Sequence, residues 1–379
     1  MGDIVVTGIG LVSALGADTD SNWANLLAGQ SAIALSQPFF ELDARPLGML
    51  GKQPADLSKL TQKVVDQALA DAGLSPPLRD CGVVIGSSRS RQAIWESLTQ
   101  SLKDKGSLPP HTWLETLPHM PAINAARQIG AQSFVLAPMA ACATGLWAIA
   151  QGFELIQAGQ CQRVLAGAVE APITPLTLAG FEKMGALART GCYPFDLARE
   201  GLVLGEGAAV MVMESAELAA QRSAPVYGKI LGFGLTADGY HLSTPDPTRR
   251  SGGAAIRHCL ERSGLPPEAV DCIHTHGTST TLNDLNEAQL IQQLFPKIMP
   301  ISSTKGATGH TLGASGAIGV AFCLLALQRQ VLPPCVGLSR SEFDLNFVRV
   351  AQPWQGRSVL CFSFGFGGQN AVVALGRSG

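Results

Sequence analysis

The chain has 379 residues, of which 46% are hydrophobic and 15% are charged, and its formal net charge at pH 7 is -2. This length and composition suit one or two closely packed globular domains. The near-neutral charge excludes a sequence-independent grip on nucleic acid or on an anionic membrane surface.

The amino-terminal run MGDIVVTGIG lacks the basic start and apolar core of a signal peptide. No stretch approaches the roughly 20 uninterrupted apolar residues of a membrane span. The nine cysteines are scattered and never spaced as Cys-x-x-Cys, which argues against a disulfide framework or a zinc knuckle. The sequence therefore predicts a soluble cytoplasmic protein with reduced thiols.

Short β-branched or apolar runs alternate along the chain with longer helical patterns, which is typical of an α/β protein with mostly parallel strands. Predicted strands include residues 4–7, 83–85, 164–166, 209–213, 272–274 and 359–363. Predicted helices include residues 60–72, 144–158, 254–263, 284–295 and 314–329. Residues 139–159 and 304–327 both run from a small-residue turn into an apolar helix, which indicates two related halves. We place these halves at residues 1–220 and 221–379.

Cys142 stands in the run MAACATG, immediately before the predicted helix at residues 144–158. A thiol at a helix start faces free N–H groups and the positive end of the helix dipole, which favour the nucleophilic thiolate. The small side chains of Ala141 and Ala143 would leave this thiol uncrowded. The structural alternative is a buried cysteine in a tight turn.

The segment CIHTHGTSTTLNDLNEAQ, residues 272–289, carries two histidines at the end of a predicted strand. His274 and His276 share a face if the strand continues. No carboxylate or cysteine follows at typical ligand spacing, so we predict no metal site and a structural role for His274. Asp284 and Glu287 are predicted to cap and charge the first turn of the following helix.

Two glycine-rich segments follow. The first, residues 301–319, holds Lys305 and His310 in a loop whose glycines suit close backbone approach to a site. It is not a phosphate loop, because Lys305 precedes the glycines. The second, residues 361–375, passes through a Gly-Phe-Gly-Gly turn between two predicted strands. Phe364 and Phe366 are either core aromatics or, for Phe366, a side chain on a mobile turn.

Taken together, these segments resemble β-ketoacyl-(acyl carrier protein) synthases of the elongating type, from Ile4 to Leu375. The resemblance rests on six motifs in the family's order: IVVTGIGLVSALG, AACATG, YPFDLAREGLVLGEGA, HTHGTST, STKGATGHTLGASG and SFGFGGQNA. It implies a thiolase-like α/β fold of two duplicated halves in a five-layer arrangement. It also implies a dimer, acyl carrier protein as partner, no cofactor or metal, and decarboxylative condensation of malonyl carrier protein with an acyl thioester.

The resemblance assigns roles residue by residue. It implies that Cys142 is the nucleophile and that its backbone N–H forms an oxyanion hole with that of Phe366, which is also the gating phenylalanine. The remaining implied roles belong to two catalytic histidines, a supporting lysine and two threonines that bind the pantetheine arm: His276, His310, Lys305, Thr278 and Thr280.

Three positions depart from the family's usual pattern. Phe362 stands where Asn is most frequent, His274 where Asn or Glu is common, and Gln369 where Thr is frequent. These departures leave the acyl substrate open between fatty acid synthesis and a specialised polyketide or polyene pathway. In the latter the chain would pair with a second, related subunit.

Two alternatives remain open from the sequence. One is a non-catalytic chain-length factor of the same fold, against which Cys142, His276 and His310 argue together. The other is a degradative thiolase, whose second cysteine near the C-terminal turn could correspond to Cys361. Carrier-protein docking is expected to use basic side chains, and Lys63 and Arg127 are the candidates.

Overall fold

The structure, a computed structural model, describes residues 2–107, 112–296 and 299–378. Its strands are β1 (Ile4–Ser13), β2 (Ala34–Ser36), β3 (Arg45–Leu47), β4 (Gly82–Gly86), β5 (Val135–Leu136), β6 (Arg163–Glu170), β7 (Gly207–Ser215), β8 (Gly228–Ala237), β9 (Cys272–His274), β10 (Ile301–Ser302), β11 (Val331–Leu332), β12 (Gln352–Pro353), β13 (Ser358–Gly365) and β14 (Gln369–Gly376). Its α-helices are α1 (Thr19–Leu27), α2 (Leu57–Asp71), α3 (Gln92–Lys105), α4 (Met120–Ile129), α5 (Thr144–Gln157), α6 (Pro175–Lys183), α7 (Ala216–Gln221), α8 (Arg250–Ser263), α9 (Thr281–Leu294), α10 (Lys305–Thr308) and α11 (Ser315–Arg329).

Hydrogen bonds connect ten of these strands into one sheet, in the order β10-β9-β13-β14-β8-β1-β7-β6-β4-β5. The two halves of this sheet meet where β1 pairs with β8 in antiparallel fashion. Outward from that junction, the order is β1, β7, β6, β4, β5 on one side and β8, β14, β13, β9, β10 on the other. Such matched order is what a duplicated fold gives, and the boundary near residue 220 stays a prediction.

The prediction of mostly parallel strands is wrong for the middle of the sheet. Parallel pairing is confined to the two outer edges, where β4 pairs with β5 and β6, and β9 pairs with β10 and β13. The central pairs are antiparallel. One reason is the turn Phe366–Gly368 between β13 and β14, which is too short for the crossover that a parallel pair needs.

The helices form three layers around the two halves of the sheet, which gives five layers in all. Helices α5 and α11 occupy the central layer, while α2 and α4 cover the first half and α8 and α9 cover the second. Helix α11 is apolar on every side, as a helix buried all round must be. The window Leu312–Arg329 has the length and hydropathy of a membrane span, yet 83% of it is buried inside the protein.

The first turns of α5 and α11 contact each other in the central layer. A Cβ atom on Gly145 would lie 2.5 Å from the backbone nitrogen of Ala317, so this approach requires glycine. Because Cys142 precedes α5 and His310 precedes α11, the contact brings their two turns together. The central layer therefore builds the site from both ends of the chain.

Candidate active site

Cys142 lies in a tight turn two residues before α5 begins. The preceding residue, Ala141, has φ +47°, a conformation that L residues rarely adopt. The end of β13 holds the turn in place: the Ser363 hydroxyl donates to the carbonyl oxygen of Cys142 at 2.9 Å. A Cβ atom on Gly365 would lie 3.0 Å from the Cys142 nitrogen, so glycine allows this close approach. Cys142 is thus positioned by elements far apart in sequence.

His310 is the immediate partner of the thiol. Its Nε2 lies 3.2 Å from Cys142 Sγ, and its Nδ1 lies 2.8 Å from the Ser315 hydroxyl. A hydroxyl can donate or accept a hydrogen bond. His310 can therefore carry its proton on either ring nitrogen, so that Nε2 either accepts a proton from the thiol or donates to another group.

His276 faces the same thiol but has a more fixed role. The Lys305 ammonium donates to the main-chain oxygen of His276, and its Nζ lies 3.3 Å from His276 Nδ1. Because an ammonium only donates, Nδ1 is assigned as the acceptor and Nε2 as the protonated nitrogen. The ring centroids of His276 and His310 are 5.3 Å apart. One ligand atom from each histidine and the Cys142 sulfur lie within 4.8 Å of one another.

Burial sets the charge state of this group. It raises the pKa of the Cys142 thiol to about 11, although Lys305 and the Phe366 N–H favour the thiolate. It also lowers the pKa of both imidazoles well below the usual range. At neutral pH, burial thus favours a neutral thiol beside neutral imidazoles. Burial therefore opposes the helix start, which the sequence predicts to favour the thiolate, and its effect on the pKa of Cys142 is the larger one.

Alkylation should report this raised pKa directly. The rate at which iodoacetamide modifies Cys142 is expected to rise about tenfold per pH unit from about pH 8 to about pH 10, since the thiolate is the reactive form. Peptide mapping by mass spectrometry at each pH isolates Cys142 from the other thiols. A plateau below pH ~8.5 would contradict the neutral resting thiol.

Two buried carboxylates, which the sequence analysis does not identify as site residues, fix the backbone of the His276 loop by hydrogen bonds. Glu287 accepts hydrogen bonds from the backbone N–H groups of His276 at 2.6 Å and of the next glycine at 2.8 Å. Asp284 accepts one from the Thr278 N–H at 3.0 Å. Burial raises the pKa of Glu287 to about 7 and that of Asp284 to about 6. The prediction that they cap and charge the first turn of α9 holds only for the charge of Asp284, which lies in that turn, while the cap residue is Thr280. Their i, i+3 spacing places both on one face of α9.

A cavity open to solvent leads to Cys142. Thr278 and Thr280 line it, with their hydroxyl oxygens 2.8 Å apart. Its lining also includes His276, His310, Phe181, Glu200, Asp238, Ser243, Asn283, Phe366 and Asn370. The sequence-predicted catalytic and pantetheine residues therefore meet at one cavity, with Lys305 behind His276. Lys63 and Arg127 are not in its lining, and carrier docking there stays a prediction.

Phe366 stands where this cavity reaches the thiol. Its side chain is half-buried and stacks on Phe181, with ring centroids 6.0 Å apart and an interplanar angle of 27°. The two residues after it, Gly367 and Gly368, have φ values of +76° and +71°, which glycine adopts without strain. The ring is thus attached to a turn that can change its backbone conformation more easily than a strand can.

His274 belongs to a separate buried group. Its Nε2 lies 3.1 Å from the Thr304 hydroxyl and its Nδ1 lies 3.7 Å from Cys361 Sγ. His274, Cys323 and Cys361 form a second group of possible metal-ligand atoms within 4.8 Å of one another, so the structure does not pair His274 with His276. Among the described residues, Cys142 is the one cysteine in the cavity lining. Cys361 is fully buried behind it, which removes the second cysteine that a thiolase would need.

Comparisons with known proteins agree on one family. Residues 51–219 match the sequence model of the beta-ketoacyl synthase N-terminal domain, and residues 227–339 match that of the C-terminal domain. A 3-oxoacyl-(acyl-carrier-protein) synthase 2 of Staphylococcus aureus strain N315 is 33% identical over 408 residues, covering 98% of this chain and 97% of that protein. Two solved structures each reach a TM-score of 0.93 over 100% of both chains. One is a type II polyketide synthase acyl carrier protein in complex with its ketosynthase bound to the hexaketide, at 27% identity. The other is the ishigamide ketosynthase/chain length factor, at 26% identity.

Proposed function

The chain belongs to the β-ketoacyl synthase family of condensing acyltransferases, and we propose that it is a 3-oxoacyl-(acyl carrier protein) synthase. In this proposal it condenses an acyl group held on Cys142 with malonyl carrier protein, with loss of carbon dioxide. The observation that carries the proposal is the 3.2 Å contact between Cys142 Sγ and His310 Nε2, with the His276 imidazole beside it.

Acyl transfer is the first half-reaction. The Cys142 sulfur bonds to the thioester carbonyl carbon of the acyl carrier protein, and the bond from that carbon to the pantetheine sulfur breaks. Because the resting thiol is neutral, its proton passes to His310 Nε2 as the sulfur attacks, and then to the departing pantetheine thiolate. The N–H groups of Cys142 and Phe366 are proposed to hold the carbonyl oxygen as its negative charge develops.

Decarboxylation and condensation follow. The bond between the malonyl α-carbon and its carboxylate breaks, carbon dioxide leaves, and the electron pair stays on the α-carbon as an enolate. The enolate oxygen accepts a hydrogen bond from Nε2–H of His276. It accepts a second one from His310 when that imidazole carries its proton on Nε2. Neutral imidazoles suit this task because they donate N–H hydrogen bonds but are too weakly acidic to give their proton to the enolate. The carbanion then attacks the acyl carbon and the bond from that carbon to the Cys142 sulfur breaks. The released thiolate takes up one proton from solvent, which restores the neutral thiol.

The proposal extends to partners and pathway. An acyl carrier protein is the proposed donor of both substrates, which is supported by the similarity to a ketosynthase solved with its carrier protein. The proposed product serves fatty acid synthesis or a type II polyketide or polyene pathway, and the chain is proposed to act as a homodimer or with a related subunit. A cytoplasmic location is supported by the nine cysteines, all of which are free thiols.

A non-catalytic chain-length factor is the second candidate, because one similar structure is a ketosynthase/chain length factor pair. The intact thiol and imidazole arrangement favours the catalytic subunit. Incubating the pure chain with acyl and malonyl carrier proteins, and detecting 3-oxoacyl carrier protein by mass spectrometry, tests the proposal. Product formation supports catalysis. No product from the chain alone or with any related subunit would overturn it.

Phe366 is proposed to gate the two half-reactions. In Phe366→Ala, carbon dioxide release without condensation should increase relative to product, because nothing keeps malonyl carrier protein from reacting before Cys142 is acylated. The melting temperature should stay close to that of the wild type. Both quantities are measured on the same sample, with Phe153→Ala as the control, since Phe153 is another partly buried phenylalanine in a ring pair.

The alternative is that Phe366 is a fixed packing residue. Its replacement by alanine would then cost roughly 3 to 5 kcal/mol of unfolding free energy and slow both half-reactions together. That result, with unchanged coupling of carbon dioxide release to product, would contradict the gate.

A further inference from the structure

The loop that follows β4 is anchored beside Cys142 by a buried carboxylate. Glu170, at the end of β6, accepts hydrogen bonds from the backbone N–H of Ser88 at 2.8 Å and of Arg89 at 3.0 Å. It also accepts one from the Gly313 N–H at 3.0 Å, three residues after His310. The backbone that carries the Arg89 side chain is therefore tied to the same carboxylate as the His310 loop.

The Arg89 guanidinium lies over an aromatic ring of the active-site cavity. Its central carbon is 5.7 Å from the centroid of Phe181, and Phe181 stacks on Phe366. Phe181 also packs with Cys142 in one apolar cluster, together with Leu47, Ile173, Leu178, Leu202, Leu204 and Leu312. An acyl group attached to the Cys142 sulfur would contact this cluster, because these are the apolar side chains around the thiol. Arg89 itself is exposed and lies over the Phe181 ring, outside the residues that line the cavity.

Polar side chains join the start of α3 to the start of α6 beside this loop. The side-chain amide of Gln92 donates to the hydroxyls of Thr174 at 3.0 Å and Thr177 at 2.9 Å, and to the Glu96 carboxylate at 2.8 Å. Both threonines are buried, at 2% and 4% exposure. Thr174 caps α6, where its hydroxyl accepts from the Thr177 N–H. These hydroxyls are therefore engaged within the protein, and the Arg89 guanidinium is the polar group of this loop that remains for a ligand.

Arg89 has no acidic partner of its own. In the part of the chain that the structure describes, no carboxylate lies within ion-pair distance of its guanidinium. Its charge still acts on the reactive centre, since it helps to favour the thiolate of Cys142. A planar guanidinium without a partner is suited to bind carboxylate or carbonyl oxygens with two parallel hydrogen bonds.

We propose that Arg89 selects acyl chains that bear oxygen, such as a carboxylate or carbonyl group beyond the thioester, over plain alkyl chains. This inference rests on the proposed synthase function and names its substrate class. Arg89 is a specificity residue in this account, because it contacts the acyl chain and not the reacting thioester. The Phe181 ring separates the Arg89 guanidinium, which would bind the oxygen atoms, from the apolar side chains around the Cys142 thiol.

The test compares rates of Cys142 acylation from two series of pantetheine thioesters, followed by intact mass. The first series is alkyl (butanoyl, hexanoyl, octanoyl), and the second carries a terminal carboxylate at matched lengths. In the wild-type chain at least one carboxylated acyl group should load roughly ten- to a hundredfold faster than its alkyl match, as a charge-assisted hydrogen bond would give. Arg89→Leu should lose or reverse this ratio, and Arg89→Lys should keep part of it.

Arg79→Leu is the matched control. Arg79 is, like Arg89, an exposed arginine, but among the described residues it lies over no ring of the cavity, so its removal should leave the ratio unchanged. The ratio is the decisive readout, since a loss of stability would slow both series equally. Equal loading of both series by the wild type, or a ratio unaffected by Arg89→Leu, would overturn this inference while leaving the synthase intact. Failure of every thioester to load Cys142 would instead overturn the proposed function.

Discussion

Substituting Cys142 with alanine is expected to lower formation of 3-oxoacyl product by on the order of a thousandfold or more, because the covalent intermediate can no longer form. The acyl adduct seen by intact mass in the wild type should disappear at the same time. The fold should remain, since the substitution removes one sulfur from a turn held by the backbone and by Ser363. Product assays, intact mass and melting temperature on one preparation measure all three.

Cys361→Ala is the matched control for this prediction, because Cys361 is the other cysteine near the C-terminal turn and is fully buried. Its adduct yield should equal that of the wild type. An adduct mapped to Cys361, or full activity in Cys142→Ala, would contradict the assignment of Cys142 as the nucleophile.

Removing either imidazole should lower condensation by on the order of a hundredfold to a thousandfold, as the loss of one well-placed donor does. The two substitutions should nevertheless differ in the first half-reaction. His276→Ala should leave acylation of Cys142 nearly intact, because His276 Nε2–H serves the enolate. His310→Ala should slow acylation as well, since the neutral thiol loses the acceptor that lies 3.2 Å away.

Single-turnover acylation and malonyl decarboxylation, measured separately, distinguish these roles. His258→Ala is the control, because His258 lies on α8 outside the cavity lining and should retain both half-reactions. Condensation at a near wild-type rate by His310→Ala would place the role elsewhere. A chelator should have no effect, and loss of activity on chelation would point to a metal held by Cys142, His276 and His310.

Much of the fold could be predicted from local patterns, where the chain repeats a clear period. The predicted strand at 272–274 coincides with β9, and the predicted helix at 144–158 exceeds α5 by one residue. Strand β8 was missed because glycines at positions 228, 232 and 234 interrupt its apolar pattern. They are needed there: a Cβ atom on Gly234 would lie 1.9 Å from the Ala255 oxygen of α8. The requirement for glycine at this position follows from the packing of α8 against β8, which the local sequence does not reveal.

The site was predictable in its residues and much less so in its chemistry. Family motifs name Cys142 and His310, yet these lie 168 positions apart, and their contact depends on the packing of α5 against α11. The sequence suggested that the helix start would lower the pKa of the thiol. Burial is a tertiary property and acts in the opposite direction. For the same reason the support that Glu287 gives to the His276 backbone could not be derived from its position on α9.

The most direct test of the account is a chase of the isolated acyl-enzyme. The chain is acylated, freed of excess thioester and mixed with malonyl carrier protein, while the protein mass and the carrier-bound product are followed in time. The adduct on Cys142 is expected to disappear at the rate at which 3-oxoacyl carrier protein appears, with one carbon dioxide released per product. An adduct that persists, or that is lost only as the free acid, would contradict it.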